Sequence, residues 1–398
     1  MTHTIVFVDD DPNVLNSLKR GLRPYRKQWK THFCESAETA IEIFKQTPVD
    51  VLVTDIRMPN KDGVALMEDI SQLQPETIRI ALSGQVEEQQ FHKIMVMAHQ
   101  FLSKPCSTES LVDTLNKACS LPEYLDQARS SAYPIKFASL PSPPALFNEL
   151  QTILKDPDID AHKIAALIIK DTVLTAKLLQ MVNSPYFNIE REIDDVTEAA
   201  LYVGVDSLTT IITAYCLANR YAESAHMSAE IQYIFNQGSA IACLAKRLCA
   251  AEGHNKRLQN QAFTIGLLLP IGRLSLFSSY AAPYKQAIEQ ATTENTSLLD
   301  VEDRVFCYNH LKVAAYMLTL WGLPKPTIEI LALPFAVNEP SENAQILGPI
   351  VHASYQLIQH SPHVFSDEAF AQLLTRFNRQ NKVEDWKNVY DSSQCQQD

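Results

Sequence analysis

Within the first 120 residues, short aliphatic and β-branched runs alternate with stretches of helical periodicity, and that alternation leaves few folds open. Strands are predicted at residues 4–8, 30–34, 49–54, 78–82 and 100–102. Helices are predicted between and after them, at 12–22, 37–46, 64–73, 86–96 and 108–118. The third strand runs apolar through Val51-Leu-Val53, which suits a strand covered by helices on both faces of a parallel sheet. Five β–α units in that order predict an α/β domain, a five-stranded parallel sheet wound on both faces.

Beyond residue 120 the texture changes. Pro122, Pro134, Pro141, Pro143 and Pro144 punctuate a stretch that separates two units. After it helical periodicity dominates, with helices predicted at 145–154, 161–182, 196–218, 229–251, 260–278, 305–321, 326–336, 344–359 and 367–377. The predicted organisation is a domain at 1–120, a linker at 121–138, an all-helical domain at 139–365, and a C-terminal helix and tail at 366–398.

The charge balance narrows the partners. The chain carries 34 Lys+Arg against 46 Asp+Glu, a formal net charge of −12, which opposes a general grip on nucleic acid or anionic lipid. No continuous apolar run approaches the ~18 residues of a membrane span, so the expectation is a cytoplasmic protein with no membrane or nucleic-acid partner. The eight cysteines are scattered, with no C-x-x-C pair, and read as small buried apolar side chains.

The strand ends carry the chemistry. Asp9 and Asp10 follow the first strand, Asp55 ends the third, Ser83 follows the fourth, and Lys104-Pro105 follows the fifth. Ligands bind at this carboxyl edge of an open α/β sheet. Carboxylates gathered there repel one another and call for a hard divalent cation with oxygen ligands, most simply Mg²⁺. A lysine and a hydroxyl beside a metal-bound carboxylate can stabilise a phosphoryl group transferred to it.

On these positions residues 1–120 resemble the receiver domain of bacterial two-component response regulators. The resemblance implies that Asp55 is the phospho-acceptor. It implies that Asp9, Asp10 and Asp55 hold Mg²⁺ with the backbone carbonyl of Arg57. Ser83 becomes the switch hydroxyl, Lys104 the partner of the phosphoryl group, Phe101 the switch aromatic, and Lys104-Pro105 a cis junction.

The helical region resembles the HDOD domain, a relative of the HD-type metal-dependent phosphohydrolases. The matching segments are Leu140-Pro-Ser-Pro-Pro-Ala, Asn183-Ser-Pro-Tyr-Phe, the stretch around Gly204, Ala262-Phe-Thr-Ile-Gly-Leu-Leu-Leu-Pro-Ile-Gly-Arg-Leu, and His310 with Trp321-Gly-Leu-Pro. Where catalytic relatives place a His-Asp pair this chain has Leu269-Pro270, and where they place a further His it has Gln237-Gly238. Only His310 remains of the usual ligands, and one His cannot build a metal site. The expectation is therefore a non-catalytic domain. Arg273 reads as a helix-end cation, and Tyr202, Tyr215, Tyr233 and Phe235 read as core.

Together the two resemblances imply a response regulator phosphorylated on Asp55 by a histidine kinase, with an output domain that acts by protein contact. The output protein is not legible, and homodimerisation is open. One alternative makes the chain a regulator of an HD-type cyclic-di-GMP phosphodiesterase, or that enzyme itself. The other, a transcription factor, lacks a basic recognition helix.

Overall fold

The computed structural model describes residues 3–84, 94, 97–119, 125, 131–135, 160–183, 189, 191–204, 208, 228–321, 323–336, 339–359 and 368–394. Its N-terminal part contains β1 (His3–Val8), α1 (Pro12–Gly21), β2 (Trp29–Cys34), α2 (Ala37–Gln46), β3 (Val51–Asp55), α3 (Gly63–Leu73), β4 (Ile78–Ser83), β5 (Gln100–Ser103) and α4 (Thr108–Cys119). The strands form one parallel sheet in the order β2-β1-β3-β4-β5, as the α/β alternation requires. The helix predicted at 86–96 lies almost wholly outside the described residues.

Local chemistry sets where each helix starts. Asp11 caps α1, its side chain accepting from Asn13 N with Pro12 already in the first turn; Ser36 and Asp62 cap α2 and α3 in the same way. The continuous burial of β3 through Thr54 leaves only Asp55, at its carboxyl end, half-exposed.

The helical part follows as α5 (Ala161–Ile168), α6 (Thr172–Val182), α7 (Val196–Val203), α8 (Ser228–Ala251), α9 (Lys256–Leu268), α10 (Ile271–Ser279), α11 (Ala281–Glu294), α12 (Leu298–Phe306), α13 (His310–Leu320), α14 (Lys325–Ala336), α15 (Glu342–Gln359), α16 (Glu368–Arg376) and α17 (Val383–Gln394). It differs from the sequence reading in several places. The helix predicted at 161–182 is two, because buried Asp171 turns its carboxylate onto Val173 N and Leu174 N and starts a new helix. The helix predicted at 260–278 breaks at Pro270, whose ring removes a backbone donor. The helix predicted to begin at 305 begins at His310, capped by Asn309, after the separate α12. Helix α11 escaped prediction because it buries only Tyr284, Ala287 and Ala291, too thin an apolar stripe to read. The predicted helix at 145–154, most of that at 196–218, and the motifs at Leu140 and Ser184–Phe187 lie outside the described residues.

Residues Lys256–Ser279 are long and apolar enough to cross a membrane by length and composition, a feature not seen in the sequence reading. In the fold 83% of that apolar window is buried, as befits a core element. The described cysteines are all free.

The two parts meet at the end of the sheet opposite Asp55. On the sheet side, Arg79 sits near the start of β4 and His99 immediately precedes β5. Arg79 N donates to His99 Nδ1 at 2.8 Å, which leaves Nε2 as the protonated ring nitrogen. The 3.2 Å approach of the Arg79 guanidinium to Nε2 therefore brings two donors together and is no hydrogen bond. On the helical side, Gln180 of α6 donates to His99 O at 2.9 Å, and Lys177 reaches Gln180 Oε1 at 3.1 Å. The Lys177 ammonium lies 4.5 Å from the centroid of the Trp321 ring and makes a long contact of 3.5 Å to Ala98 O. Helices α4 and α13 also touch across this boundary.

The cost of that junction is charge. Burial, then the neighbouring Arg79, lowers the Lys177 pKa from 10.5 to about 7. Burial, Arg79 and Lys177 hold His99 well below the ordinary histidine value. Unfolded, Lys177 keeps its proton up to its ordinary pKa of 10.5, so above about 7 the unfolded chain binds a proton the folded chain has lost, and stability rises with pH across that window. Thermal unfolding measured from about pH 6.5 to about pH 8.5 should show a rise in wild type that is reduced in Lys177→Met; parallel pH profiles would show that Lys177 stays charged.

Candidate functional site

At the carboxyl edge of the sheet, β1 and β3 deliver three carboxylates to one point. The oxygens of Asp9, Asp10 and Asp55 lie within 4.8 Å of one another, the only metal-competent cluster of His, Cys, Asp or Glu among the described residues. Asp9 is buried, Asp55 half-exposed and Asp10 exposed, so the cluster opens to solvent on one side. An adjoining cavity of about 540 Å³ is lined by Asp10, Arg57, Met58, Asn60 and Asp62, among others.

Lys104 holds the group together. Its Nζ lies 2.5 Å from Asp9 Oδ2 and 2.9 Å from Asp55 Oδ2. The peptide bond from Lys104 to Pro105 is cis, as expected. Burial would depress the Lys104 ammonium, but the hydrogen bonds to Asp9 and Asp55 outweigh it and its pKa is raised. Burial raises the Asp9 carboxyl above its ordinary value, against the lowering effect of Lys104 and the Asp11 amide. Asp55 Oδ1 accepts from Ile56 N at 2.6 Å and Asp9 Oδ1 from Asp11 N at 3.0 Å, so backbone amides fix both carboxylates.

Gly63 shapes the same edge. A Cβ there would stand 2.0 Å from Asp55 O, so only glycine lets α3 begin this close to the acidic residue. The donors are all oxygen, which suits a hard cation such as Mg²⁺.

The remaining positions are less complete. Phe101 is buried in the sheet, paired with Ala81 across β4. Ser83 closes β4 opposite Ser103, and its side chain lies outside the described residues. Arg57 stands in the loop beside Asp10 that lines the cavity.

The second group sequence reading singled out lies inside the helical part. Gly238 and Pro270, far apart in sequence, meet there: a Cβ on Gly238 would stand 2.5 Å from Pro270 Cγ. Leu269 is buried in the apolar core. Beside them runs a chain of polar side chains. Tyr355 OH lies 3.1 Å from His310 Nε2, and His310 Nδ1 donates to Glu302 Oε2 at 2.7 Å. Tyr284 OH donates to Glu302 Oε1 at 2.8 Å and accepts from Arg273 Nε at 3.3 Å. Arg273 Nη1 bonds Gln237 Oε1, which also accepts from Gln359 Nε2 at 3.0 Å.

Arg273 is thus no helix-end cation: it is buried, and helix α10 carries it into the interior. Burial opposes its charge, but Tyr284, Tyr355 and Glu302 outweigh burial and its pKa is raised. The expectation that Tyr202 and Tyr233 belong to the core is also corrected, since they are 54% and 58% exposed. Tyr215 and the side chain of Phe235 lie outside the described residues.

Sequence reading missed Glu302 and Tyr284. Glu302 could have been found: it shares the stripe of Leu299 and Phe306 on α12, and a carboxylate on a core stripe demands a buried partner. Glu302→Gln should destabilise the full chain by about 3–5 kcal/mol in urea unfolding, because it removes the buried carboxylate that His310 and Tyr284 bond and that favours the buried Arg273 charge. Glu294→Gln, which removes a surface ion pair with Arg304, should move the midpoint little.

Comparison with known proteins places both halves. The model of the response regulator receiver domain matches residues 5–116, and that of the HDOD domain residues 140–334. An uncharacterized protein of Treponema pallidum is 24% identical over 274 residues, 67% of this chain and 50% of that one. The signal transduction histidine-protein kinase BarA of Escherichia coli is 32% identical over 115 residues, 28% of this chain and 12% of its own. The chain spans half or less of the length of these curated relatives. Among solved structures, the MmoQ response regulator of Methylococcus capsulatus aligns at 23% identity over 59% of this chain and 97% of its own, with a TM-score of 0.45.

Proposed function

The chain joins a response-regulator receiver domain to an HDOD domain, and from that premise we propose that Asp55 is phosphorylated by a histidine kinase and that the HDOD domain answers through contact with another protein. The observation that carries this reading is the placement of Lys104 between Asp9 and Asp55 at the open carboxyl edge of the sheet. Asp55 presents Oδ2 to Lys104 while its other oxygen is held by an amide. A phosphoryl group on Asp55 adds up to about two negative charges at this point. Lys104 is already within reach to pair with them, with Ser83 at the end of β4 as the switch hydroxyl and Phe101 as the switch aromatic. Asp9, Asp10, Asp55 and the backbone carbonyl of Arg57 are the Mg²⁺ ligands in this reading. Bound there, the cation would offset the charge gathered on the carboxylates and the incoming phosphoryl oxygens.

The path from the site to the HDOD domain is short. Strand β5 has Lys104 just past one end and His99 just before the other; β4 likewise runs from near Arg79 to Ser83. A strand of this kind spans roughly 3.3 Å per residue, so the acidic edge and the Lys177–Gln180 junction are two ends of the same pair of strands. Redirecting Lys104 and Ser83 would shift β4 and β5 against α6, a change the HDOD domain can pass to its partner.

The domain boundaries proposed are 1–120 for the receiver, 121–138 for the linker and 139–365 for the HDOD domain, in a cytoplasmic protein. Catalysis by the HDOD domain is disfavoured by its residues. Pro270 and Leu269 offer no ligand atom, and Gln237 is engaged by Arg273 and Gln359.

The test is chemical. Acetyl phosphate should place one phosphoryl group on Asp55, located by mass spectrometry, only when Mg²⁺ is present, and Asp55→Asn should abolish it. Beryllofluoride with Mg²⁺ should then alter hydrogen exchange in α6. Modification of another residue, or modification that persists in EDTA, would refute the assignment.

A further inference from the structure

Away from the acidic edge, the surface of α1 and β2 has the opposite charge. Between Asp11 and Glu35 the chain places Lys19, Arg20, Arg23, Arg26, Lys27 and Lys30 without one carboxylate, in a protein whose formal net charge is −12. The fold gathers four of them, Lys19, Arg20, Arg23 and Arg26, around one cleft of about 920 Å³. All four are exposed, and none makes an ion pair among the described residues. Two of them, Lys19 and Arg20, lie in the last turn of α1, where the helix dipole favours cations. That favour accounts for two charges and not for the other two: Arg23 opens a 3-10 turn at Arg23–Tyr25, and Arg26 follows at its C-cap.

The opposite wall is an edge strand. β2 pairs only with β1, so the backbone groups on its outer side have no sheet partner. His32 lines the cleft, and its Nε2 is buried without a hydrogen-bond partner. Burial, then Lys30, lowers the His32 pKa, so the ring enters as a neutral donor or acceptor and not as a further cation. Asn13 and Asn16 add amides along α1, and Leu22 and Phe33 add apolar surface. Asn13 also bonds Asp11, the nearest carboxylate in sequence, at 3.0 Å.

We propose that this cleft binds a nucleotide carrying two or more phosphates, its phosphates on Lys19, Arg20, Arg23 and Arg26 and its base toward Asn13, Asn16 and the apolar floor. Four cations on one concavity match the three or four negative charges of a nucleoside di- or triphosphate, and arginine forks suit phosphate oxygens. The volume falls within the roughly 300–1,000 Å³ of small-molecule pockets. A nucleic acid is the poorer occupant, because its backbone would run on from the cleft over a protein that is acidic overall.

The test uses the full chain in EDTA, which removes any divalent cation that could recruit phosphate to the carboxylates of the Asp55 site. ATP, GTP, inorganic pyrophosphate and adenosine are titrated by calorimetry, and azido-ATP crosslinks are mapped by mass spectrometry. Expected are one saturable site for ATP or GTP, weaker binding of pyrophosphate and none of adenosine, with crosslinks within residues 13–33. Affinity should drop at least about fivefold from about 50 mM to about 300 mM salt. Arg20→Gln with Arg23→Gln should weaken binding at least tenfold with an unchanged unfolding temperature. Lys246→Gln with Arg257→Gln, and separately Asp55→Asn, should leave it intact, so failure here is independent of failure at Asp55. No saturable binding at millimolar nucleotide, binding indifferent to the Arg20 and Arg23 changes, or tighter capture of duplex DNA or an acidic peptide by the same residues would overturn the proposal.

Discussion

One ammonium between two carboxylates organises the receiver's working edge. Asp9 and Asp55 come from adjacent strands, and their charges would drive those strand ends apart without a cation between them. Lys104 supplies it from the far side of β4, so residues from β1, β3 and the end of β5 are tied at a single nitrogen. The absent side chain of Gly63 belongs to the same arrangement, because it lets α3 begin against the backbone of Asp55. Because the tie is electrostatic and half-open to solvent, added charge on Asp55 can redistribute it, whereas a packed apolar contact would resist.

At the other end of the same strands basic side chains of both domains meet, and there the physics reverses. Arg79, His99 and Lys177 are buried together, and burial lowers the pKa of each. Arg79 is satisfied by backbone carbonyls, at 2.9 Å from Met97 O and 3.3 Å from Thr77 O. Lys177 rests on the Trp321 face and Gln180. A junction built from partly neutralised bases is held by polar geometry more than by a large apolar seal. Segment 131–135 adds a second hold, since Tyr308 OH donates to Tyr133 O at 2.6 Å and Tyr280 OH to Pro134 O at 2.5 Å. Tyr133 also packs edge-on against Tyr280 and Phe306.

Inside the HDOD domain, segments far apart in sequence converge on one polar cluster. Gly238 packs on Pro270, and Gly272 brings α10 so near α13 that a Cβ would stand 1.9 Å from His310 O. That approach places Arg273 in reach of Tyr284 and Gln237. A guanidinium, a carboxylate and an imidazole then satisfy one another through two tyrosines. Such a network fixes its members, because each of them is bonded to another within the protein.

Much of this was legible in the order of residues. The sheet, its parallel sense and the aspartates at its edge follow from short continuous apolar runs, two of them ended by Asp, because strand direction in a β–α alternation leaves those ends no other place. The splits at Asp171 and Pro270 were readable in principle, since an Asx cap and a proline both act within a few residues. The partners of Glu302, the burial of Arg273 and the meeting of Lys177 with His99 were not. Each joins residues 8 to about 80 positions apart, and no local signal ranks one such pairing above another. Tyr202 and Tyr233 show the converse: helical spacing placed them on a face, and only the packing of the other helices left that face in solvent. The sequence alone determined which chemistry the strand ends would carry, because side-chain type and strand direction are local. The tertiary structure alone decided which charges are paired, which are buried and which remain open, because desolvation and distance exist only once distant segments are packed.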